Sequence, residues 1–170
     1  MRKRYTMNEA NSVAKRASRD IEEYLKSFPY TINVINVEDD PIYREKDIDL
    51  LWNWYNNGKK VTTKIEVKGD RYYRTGNYFF ETVSNKSKGT PGCFMYTEAN
   101  FVFYYFVDEK ELHILPMPET RDWFIENMDK FVERETSTPV GNTVYITVGR
   151  LVNRDLLQEN VKWVRVISLK

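Results

Sequence analysis

The chain has 170 residues, of which 41% are hydrophobic and 30% charged. This composition excludes a disordered polypeptide and favours one folded domain over 1–170. A formal net charge of +1 excludes a globally basic protein, so any basic binding surface must be local. The sequence has no bilayer-length apolar stretch, no apparent signal peptide and a single cysteine. These features predict a cytoplasmic protein without a membrane partner.

A long amphipathic helix is the first predicted element. Thr6 and Glu9 have the spacing of a capping box, and Pro29 ends the helix after about residue 27. Residues 30–37 then predict a β-branched strand. The buried stripe of the helix is predicted from its three- and four-residue spacing: Ala10, Val13, Ala14, Ala17, Ile21, Leu25 and Phe28.

Two antiparallel strands are predicted next, over 47–55 and 59–68. Asn57 and Gly58 lie between them, and this dipeptide favours the positive φ that tight hairpin turns require. Because the strands run in opposite directions, the start of the first strand is expected beside the end of the second. Acidic residues distant in sequence are thereby brought together.

The second strand of this hairpin carries a carboxylate and an ammonium two residues apart. Glu66 and Lys68 alternate with Ile65 and Val67, so the two charged side chains share one face. An acid can hold a divalent cation, and a lysine can orient water and neutralise charge on a phosphate. The hairpin adds two acids at the start of its first strand: Asp47 and Asp49.

The remaining elements are predicted from alternation, aromatic runs and turn residues. The run over 101–107 is typical of a strand covered on both faces. The predicted strands cover 78–83, which contains Glu81, then 101–107, 112–115, 144–152 and 161–167, and the predicted helices cover 118–131 and 154–160.

Residues 59–92 form a locally basic stretch, in which eight Lys or Arg residues oppose three acids. Tyrosines are interleaved with these cations, and this combination suits phosphate contacts and base stacking. The candidate nucleic-acid-binding residues are Arg71, Tyr72, Tyr73, Arg74, Lys86 and Lys88.

Other catalytic chemistries have little support in the sequence. His113 is the only histidine and is interpreted as structural, which argues against a Ser-His-Asp or Cys-His mechanism. Cys93 is interpreted as a small apolar bystander, and no Cys/His cluster predicts zinc. No glycine-rich phosphate loop predicts ATP or NAD.

Asp49, Glu66 and Lys68 together resemble the signature of the PD-(D/E)XK nuclease superfamily. Its members carry an Asp on one strand and Glu-x-Lys on the next, after an N-terminal helix. Residues 75–81, followed by Thr97-x-Ala99 and an aromatic strand, are similar to phage- and prophage-encoded members. The resemblance covers about residues 40–107, and Ile48 stands where the signature has Pro.

The resemblance implies a single restriction-endonuclease-like α/β domain with a mixed central β-sheet flanked by helices. It implies a hydrolase that is a Mg²⁺- or Mn²⁺-dependent DNA endo- or exonuclease, in the host cytoplasm if phage-encoded. Lys68 would position or activate water. The implied metal ligands are Asp49 and Glu66, with the backbone carbonyl of Val67, Asp47 as the alternative to Asp49, and Glu81 and Asp20 as additional acids.

Two other functions compete with this interpretation. The first is a catalytically inactive nucleic-acid-binding or phage accessory protein with the same fold, which predicts salt-sensitive DNA affinity without products. The second is a protein-interaction module that uses the aromatic surface. DNA and RNA stay open as substrates, and a homodimer is the assembly expected of relatives that cut both strands.

Overall fold

The computed structural model describes residues 7–170, and its first element is the amphipathic helix. The predicted capping residue Thr6 lies outside the described residues. The helices are α1 (Met7–Lys26), α2 (Pro41–Arg44), α3 (Cys93–Tyr96), α4 (Glu119–Asn127) and α5 (Arg154–Asn160), with short 3₁₀ turns at Tyr73–Thr75 and Met128–Lys130. The strands are β1 (Thr31–Asn36), β2 (Leu50–Asn56), β3 (Lys59–Asp70), β4 (Asn77–Asn85), β5 (Thr90–Pro91), β6 (Phe101–Phe106), β7 (Glu111–Pro116), β8 (Val132–Val140), β9 (Thr143–Asn153) and β10 (Arg165–Ser168).

A six-stranded mixed sheet forms the centre of this α/β fold, in the order β1-β2-β3-β6-β7-β10. β3 and β6 are parallel, and all the other neighbouring pairs are antiparallel. The β2–β3 hairpin has the predicted turn, with Asn57 and Gly58 both at positive φ. Leu50 pairs with Ile65, so the start of β2 lies beside the second half of β3.

Helix α1 covers one face of the central sheet. Its Ala17, Ile21 and Leu25 are fully buried, as the apolar spacing predicts, and they pack against side chains such as Ile65 and Phe103. A side chain on Gly69 would meet the Ala17 Cβ at 3.0 Å, so the helix lies close against β3 at this point. Because β3 residues alternate between faces, Glu66 and Lys68 point away from α1.

A second, four-stranded antiparallel sheet covers the other face, in the order β5-β4-β9-β8. Phe80 of β4 stacks on Phe94 of α3, with ring centroids 3.8 Å apart, and both rings belong to the same core as Tyr104 of β6. The sequence predicts strands at β4 and β9 within a single central sheet and predicts no element at β8. Both expectations are wrong, because β4 and β9 belong to the second sheet and β8 pairs with β9 there.

The boundaries of the predicted elements are otherwise close to those observed. The closing strand β10 starts at Arg165 rather than at residue 161, because Trp163 adopts a left-handed φ of 72° in the preceding turn. Within residues 7–170, none of the helices combines the length and the apolar character needed to cross a bilayer.

Candidate functional site

Asp49 immediately precedes β2 and is fixed against β3 by two hydrogen bonds. Its amide donates to the Ile65 carbonyl at 2.9 Å, and its Oδ2 accepts from the Val67 amide at 2.8 Å. These bonds hold the Asp49 carboxyl within hydrogen-bonding reach of the Glu66 side chain. The structure therefore brings together the two acids that the sequence placed on neighbouring strands.

Asp47 lies in the turn before β2 rather than in a strand, and its φ is 53°. This left-handed conformation is tolerated by aspartate better than by most residues. The Thr97 hydroxyl donates to the Asp47 carbonyl at 2.7 Å, and the Glu98 amide donates to the Lys46 carbonyl at 2.9 Å. The segment before β6 thus holds the turn so that the Asp47 side chain also reaches Glu66.

Glu66 is the central acid of the cluster and is only 8% exposed. Among residues 7–170, its Oε2 and the Oδ2 of Asp47 are buried and have no hydrogen-bond partner. Burial raises the pKa of Glu66 well above its usual value, and the nearby charges of Asp49 and Asp47 raise it further. Burial also raises the pKa of Asp47 to about 7, with added repulsion from Asp49.

Lys68 forms its closest contact with Glu81 of the second sheet and not with Glu66, which lies two residues before it on β3. Its Nζ lies 2.6 Å from Oε1 of Glu81 on β4, so the second sheet supplies the closest partner of this ammonium. The negative charge of Glu81 raises the pKa of Lys68 despite its partial burial. The side chains of Lys68 and Glu81 retain 30% and 20% of their exposure, so the cluster reaches solvent on this side.

Helix α3 brings a thiol and a phenol to the same acids. Cys93 begins this helix, and ligand atoms of Cys93, Asp47 and Glu66 all lie within 4.8 Å of one another. Burial, with the nearby acid charges, raises the pKa of the Cys93 thiol and raises that of Tyr96 to about 12. Tyr96 is 40% exposed and lies at the rim of the cluster.

This arrangement fits a divalent cation on chemical grounds. Four carboxylates, those of Asp47, Asp49, Glu66 and Glu81, lie in one cluster with the Lys68 ammonium. Buried carboxylates without partners are unfavourable unless they are protonated or bind a cation. Oxygen donors of this kind are the ligands that Mg²⁺ and Mn²⁺ prefer.

The expectation that Asp20 completes the site is wrong. Its Oδ2 accepts a hydrogen bond from the Tyr105 hydroxyl at 2.9 Å, and Arg19 pairs with its other oxygen. Asp20 lies on α1, and Tyr105 belongs to the core that α1 covers. The central sheet therefore separates Asp20 from Glu66, which faces the second sheet.

Four of the predicted nucleic-acid-binding residues, 71–74, lie beyond the end of β3 and away from Glu66. Arg71 is five residues beyond Glu66, and at about 3.3 Å per strand residue this places the loop about 16 Å along β3. The Tyr73 ring packs against Phe106 and under the Arg154 guanidinium, which is 4.1 Å from the ring centroid. Tyr73 is therefore half-buried against the core with its ring already in contact, and it is not the free stacking surface that the sequence predicts.

The other five predicted binding residues, namely Arg71, Tyr72, Arg74, Lys86 and Lys88, are exposed. Arg71 forms an ion pair with Asp108 at 3.6 Å, and Lys86 forms one with Glu135 on β8. The local excess of positive charge is thus partly offset by acids from other parts of the chain.

Three residues near the acids were not assigned a role from the sequence: Cys93, Tyr96 and Thr97. Cys93 was interpreted as a bystander because a lone cysteine has no motif around it. Thr97 entered the sequence analysis only as part of the motif Thr97-x-Ala99, and that motif does not predict the hydrogen bond to Asp47. Their proximity to the site depends on the long-range packing of α3 against β4.

Comparisons with known proteins give no match: no protein-family model fits the chain, and neither curated proteins nor solved structures include a significant relative.

Proposed function

We propose that this chain is a metal-dependent nuclease with a restriction-endonuclease-like fold, related to the PD-(D/E)XK superfamily. The observation that carries the proposal is the meeting of Asp49 and Glu66 on one side of the sheet, around a buried Glu66 oxygen without a partner among residues 7–170. The order of α1, the antiparallel β1-β2-β3 unit and Glu-x-Lys on β3 supports the proposed fold.

The chain's own residues have distinct roles in this proposal. Asp49, Glu66 and Asp47 would hold Mg²⁺ or Mn²⁺, with Glu81 close by and the Val67 backbone adjacent. A bound cation would supply a Lewis acid for the phosphodiester and lower the pKa of water. Lys68 would donate hydrogen bonds to the phosphate or to the attacking water, and its charge would stabilise the charge that develops in the transition state.

Glu81 has a supporting role in this chemistry. Its contact with Lys68 at 2.6 Å keeps the lysine protonated and fixes its position. The partial exposure of both side chains gives a substrate phosphate access to the ammonium. The same contact also favours a second candidate, an inactive nucleic-acid-binding protein, because it directs Lys68 toward an acid instead of leaving it free for a phosphate.

The deciding experiment incubates the purified protein with plasmid, linear, branched and single-stranded DNA, and with RNA, in Mg²⁺, Mn²⁺ or EDTA. We expect cleavage that EDTA abolishes, and a loss of at least about 100-fold in Glu66→Gln and Lys68→Ala. Glu23→Gln is the matched control, because Glu23 is exposed on α1 at the opposite face of the sheet.

The outcomes separate the candidate functions. Full metal-dependent cleavage by Glu66→Gln would show that the site is elsewhere. Salt-sensitive binding of DNA without products in either metal would instead favour the inactive binding protein. Absence of both DNA affinity and metal binding would favour the protein-interaction module.

A further inference from the structure

The thiol of Cys93 lies among carboxylates, and this is an unusual neighbour for a site that binds only Mg²⁺. Its sulfur and one oxygen each from Asp47 and Glu66 are within 4.8 Å of one another. The three residues come from three separate segments: the turn before β2, strand β3 and the start of α3. Their convergence therefore results from the tertiary fold and not from proximity in sequence.

An independent observation points to a ligand at the same place. Glu66 is 92% buried, since 8% of it is exposed, and its Oε2 has no hydrogen-bond partner among the described residues. Asp47 contributes a second buried oxygen, Oδ2, that also has none there. Native proteins pair nearly all buried polar atoms, so two such carboxylates beside one thiol point to a cation-binding site.

We propose that Cys93 is an additional ligand of the cation held by Asp47 and Glu66, so that this site binds a thiophilic divalent ion such as Zn²⁺ or Co²⁺ more tightly than the Mg²⁺ or Mn²⁺ of the proposed function. The inference rests on the proposed metal site and adds the identity of a ligand and the class of ion. On binding, the thiol would lose its proton to solvent and coordinate as thiolate. Thiolate ligands favour zinc-like ions, whereas Mg²⁺ prefers oxygen ligands alone.

The geometry requires only small adjustments for this coordination. A tetrahedral zinc ion with bonds of 2.0–2.3 Å has ligand atoms about 3.5 Å apart. Because the three ligand atoms lie within 4.8 Å of one another, side-chain rotation has to close at most about 1.3 Å. The Asp47 turn is held in place by Thr97, and α3 by its close approach to Glu81, so the backbone positions are already fixed.

The closing experiment uses Co²⁺ as a spectroscopic probe on the full chain. Cys93 is the only cysteine, so a sulfur-to-cobalt charge-transfer band in the near ultraviolet identifies this residue without ambiguity. We expect one equivalent of Co²⁺ to give this band and Zn²⁺ to displace it. Excess Mg²⁺ should not displace it.

Three variants make the test specific. Cys93→Ser should lose the band and bind Co²⁺ at least tenfold more weakly, while Glu66→Gln should weaken binding without removing the thiol. Glu23→Gln should match the wild type. Far-ultraviolet circular dichroism of each variant checks that it is folded. Bound Zn²⁺ should also protect Cys93 of the wild type from an alkylating reagent.

The results distinguish failure of this inference from failure of the proposed function. One outcome would overturn the role of Cys93 and keep the carboxylate site. In it, the wild type binds Co²⁺ without the band, Cys93→Ser binds Co²⁺ equally well, and Glu66→Gln does not bind it. No binding of Co²⁺, Zn²⁺, Mg²⁺ or Mn²⁺ by the wild type would overturn both.

Discussion

At the residue scale, the molecule places several carboxyl groups close together in a buried position, where ionising them costs free energy. Glu66 is buried between Asp47 and Asp49, and the one nearby ammonium in the described structure, Lys68, contacts Glu81 instead. Desolvation and like charge both favour the protonated forms of these acids. Without a bound cation, the folded state must therefore retain protons that the unfolded chain would release.

This charge arrangement predicts how stability depends on pH. Burial raises the pKa of Asp47 from 3.8 to about 7, so in EDTA the free energy of unfolding should fall as pH rises from about 4 to 7. The contribution of Asp47 to this fall is at most about 4 kcal/mol. Asp47→Asn should flatten the slope, measured by urea unfolding at several pH values, and Glu23→Gln should retain it.

A wild-type stability that rises with pH across this interval would contradict the prediction. The raised pKa values of Glu66 and Asp49 act in the same direction, so Asp47→Asn should reduce the slope without removing it.

The Lys68–Glu81 contact predicts a specific pattern of single and double variants. If Glu81 acts by holding Lys68, Glu81→Gln should slow single-turnover cleavage by about tenfold or less, whereas Lys68→Met should slow it by about 100-fold. The double variant should be no slower than Lys68→Met, because the two residues act as one unit. A defect in Glu81→Gln as large as that of Glu66→Gln would instead identify Glu81 as a cation ligand.

At the element scale, the sequence predicts the part of the site that belongs to the β2–β3 hairpin, namely Asp49, Glu66 and Lys68. The two-residue alternation around Glu66 and the Asn57-Gly58 turn give the β2–β3 register, and that register alone brings Asp49 to Glu66. No local signal reports that β4 pairs with β9 about 70 residues away, so the second sheet was not predicted.

The residues misjudged from the sequence share a physical reason. Periodicity identifies the buried stripe of α1 but does not say which face of the sheet the helix covers, so Asp20 was placed at the wrong side. Cys93 and Thr97, at the start of α3 and just after it, reach the acids only because α3 packs against β4 of the second sheet. Their roles depend on contacts between distant segments, which composition and spacing do not encode.

The position of α3 depends on the lack of a side chain at Gly92. A Cβ there would lie 2.3 Å from the Glu81 carbonyl oxygen, so Gly92→Ala should force α3 away from β4. We expect a loss of about 2–3 kcal/mol in the free energy of unfolding, together with weaker Co²⁺ binding. Urea unfolding and cobalt titration measure the two effects.

Gly141→Ala is the matched control for this variant. No described atom lies within 4 Å of a Cβ at Gly141, but its φ of 56° disfavours alanine, at a cost of about 1 kcal/mol. It should leave Co²⁺ affinity unchanged. Equal losses of stability in the two variants, with no change in Co²⁺ affinity in either, would show that the packing of α3 on β4 does not position Cys93.

At the scale of the whole molecule, the acidic cluster lies between two layers that fold from interleaved parts of the chain. Asp47, Asp49, Glu66 and Lys68 belong to the central-sheet layer, while Glu81 belongs to the second sheet and Cys93 to α3, which packs with it. A cation bound among them would link both layers. Its binding free energy would then contribute to the stability of the complete fold.

Divalent cation should accordingly raise the melting temperature of the wild type. At a concentration 100 times its Kd, the cation adds about 2.7 kcal/mol to the free energy of unfolding, which for a chain of this size corresponds to about 5–10 °C. In EDTA, Glu66→Gln should melt at a higher temperature than the wild type, because an amide needs no proton to be buried whereas the Glu66 carboxyl does. The cation should shift the melting temperature of this variant little. Differential scanning calorimetry with Mn²⁺ and Zn²⁺ measures both effects. If Glu66→Gln and the wild type showed equal shifts, the stabilising cation would be binding outside the acidic cluster.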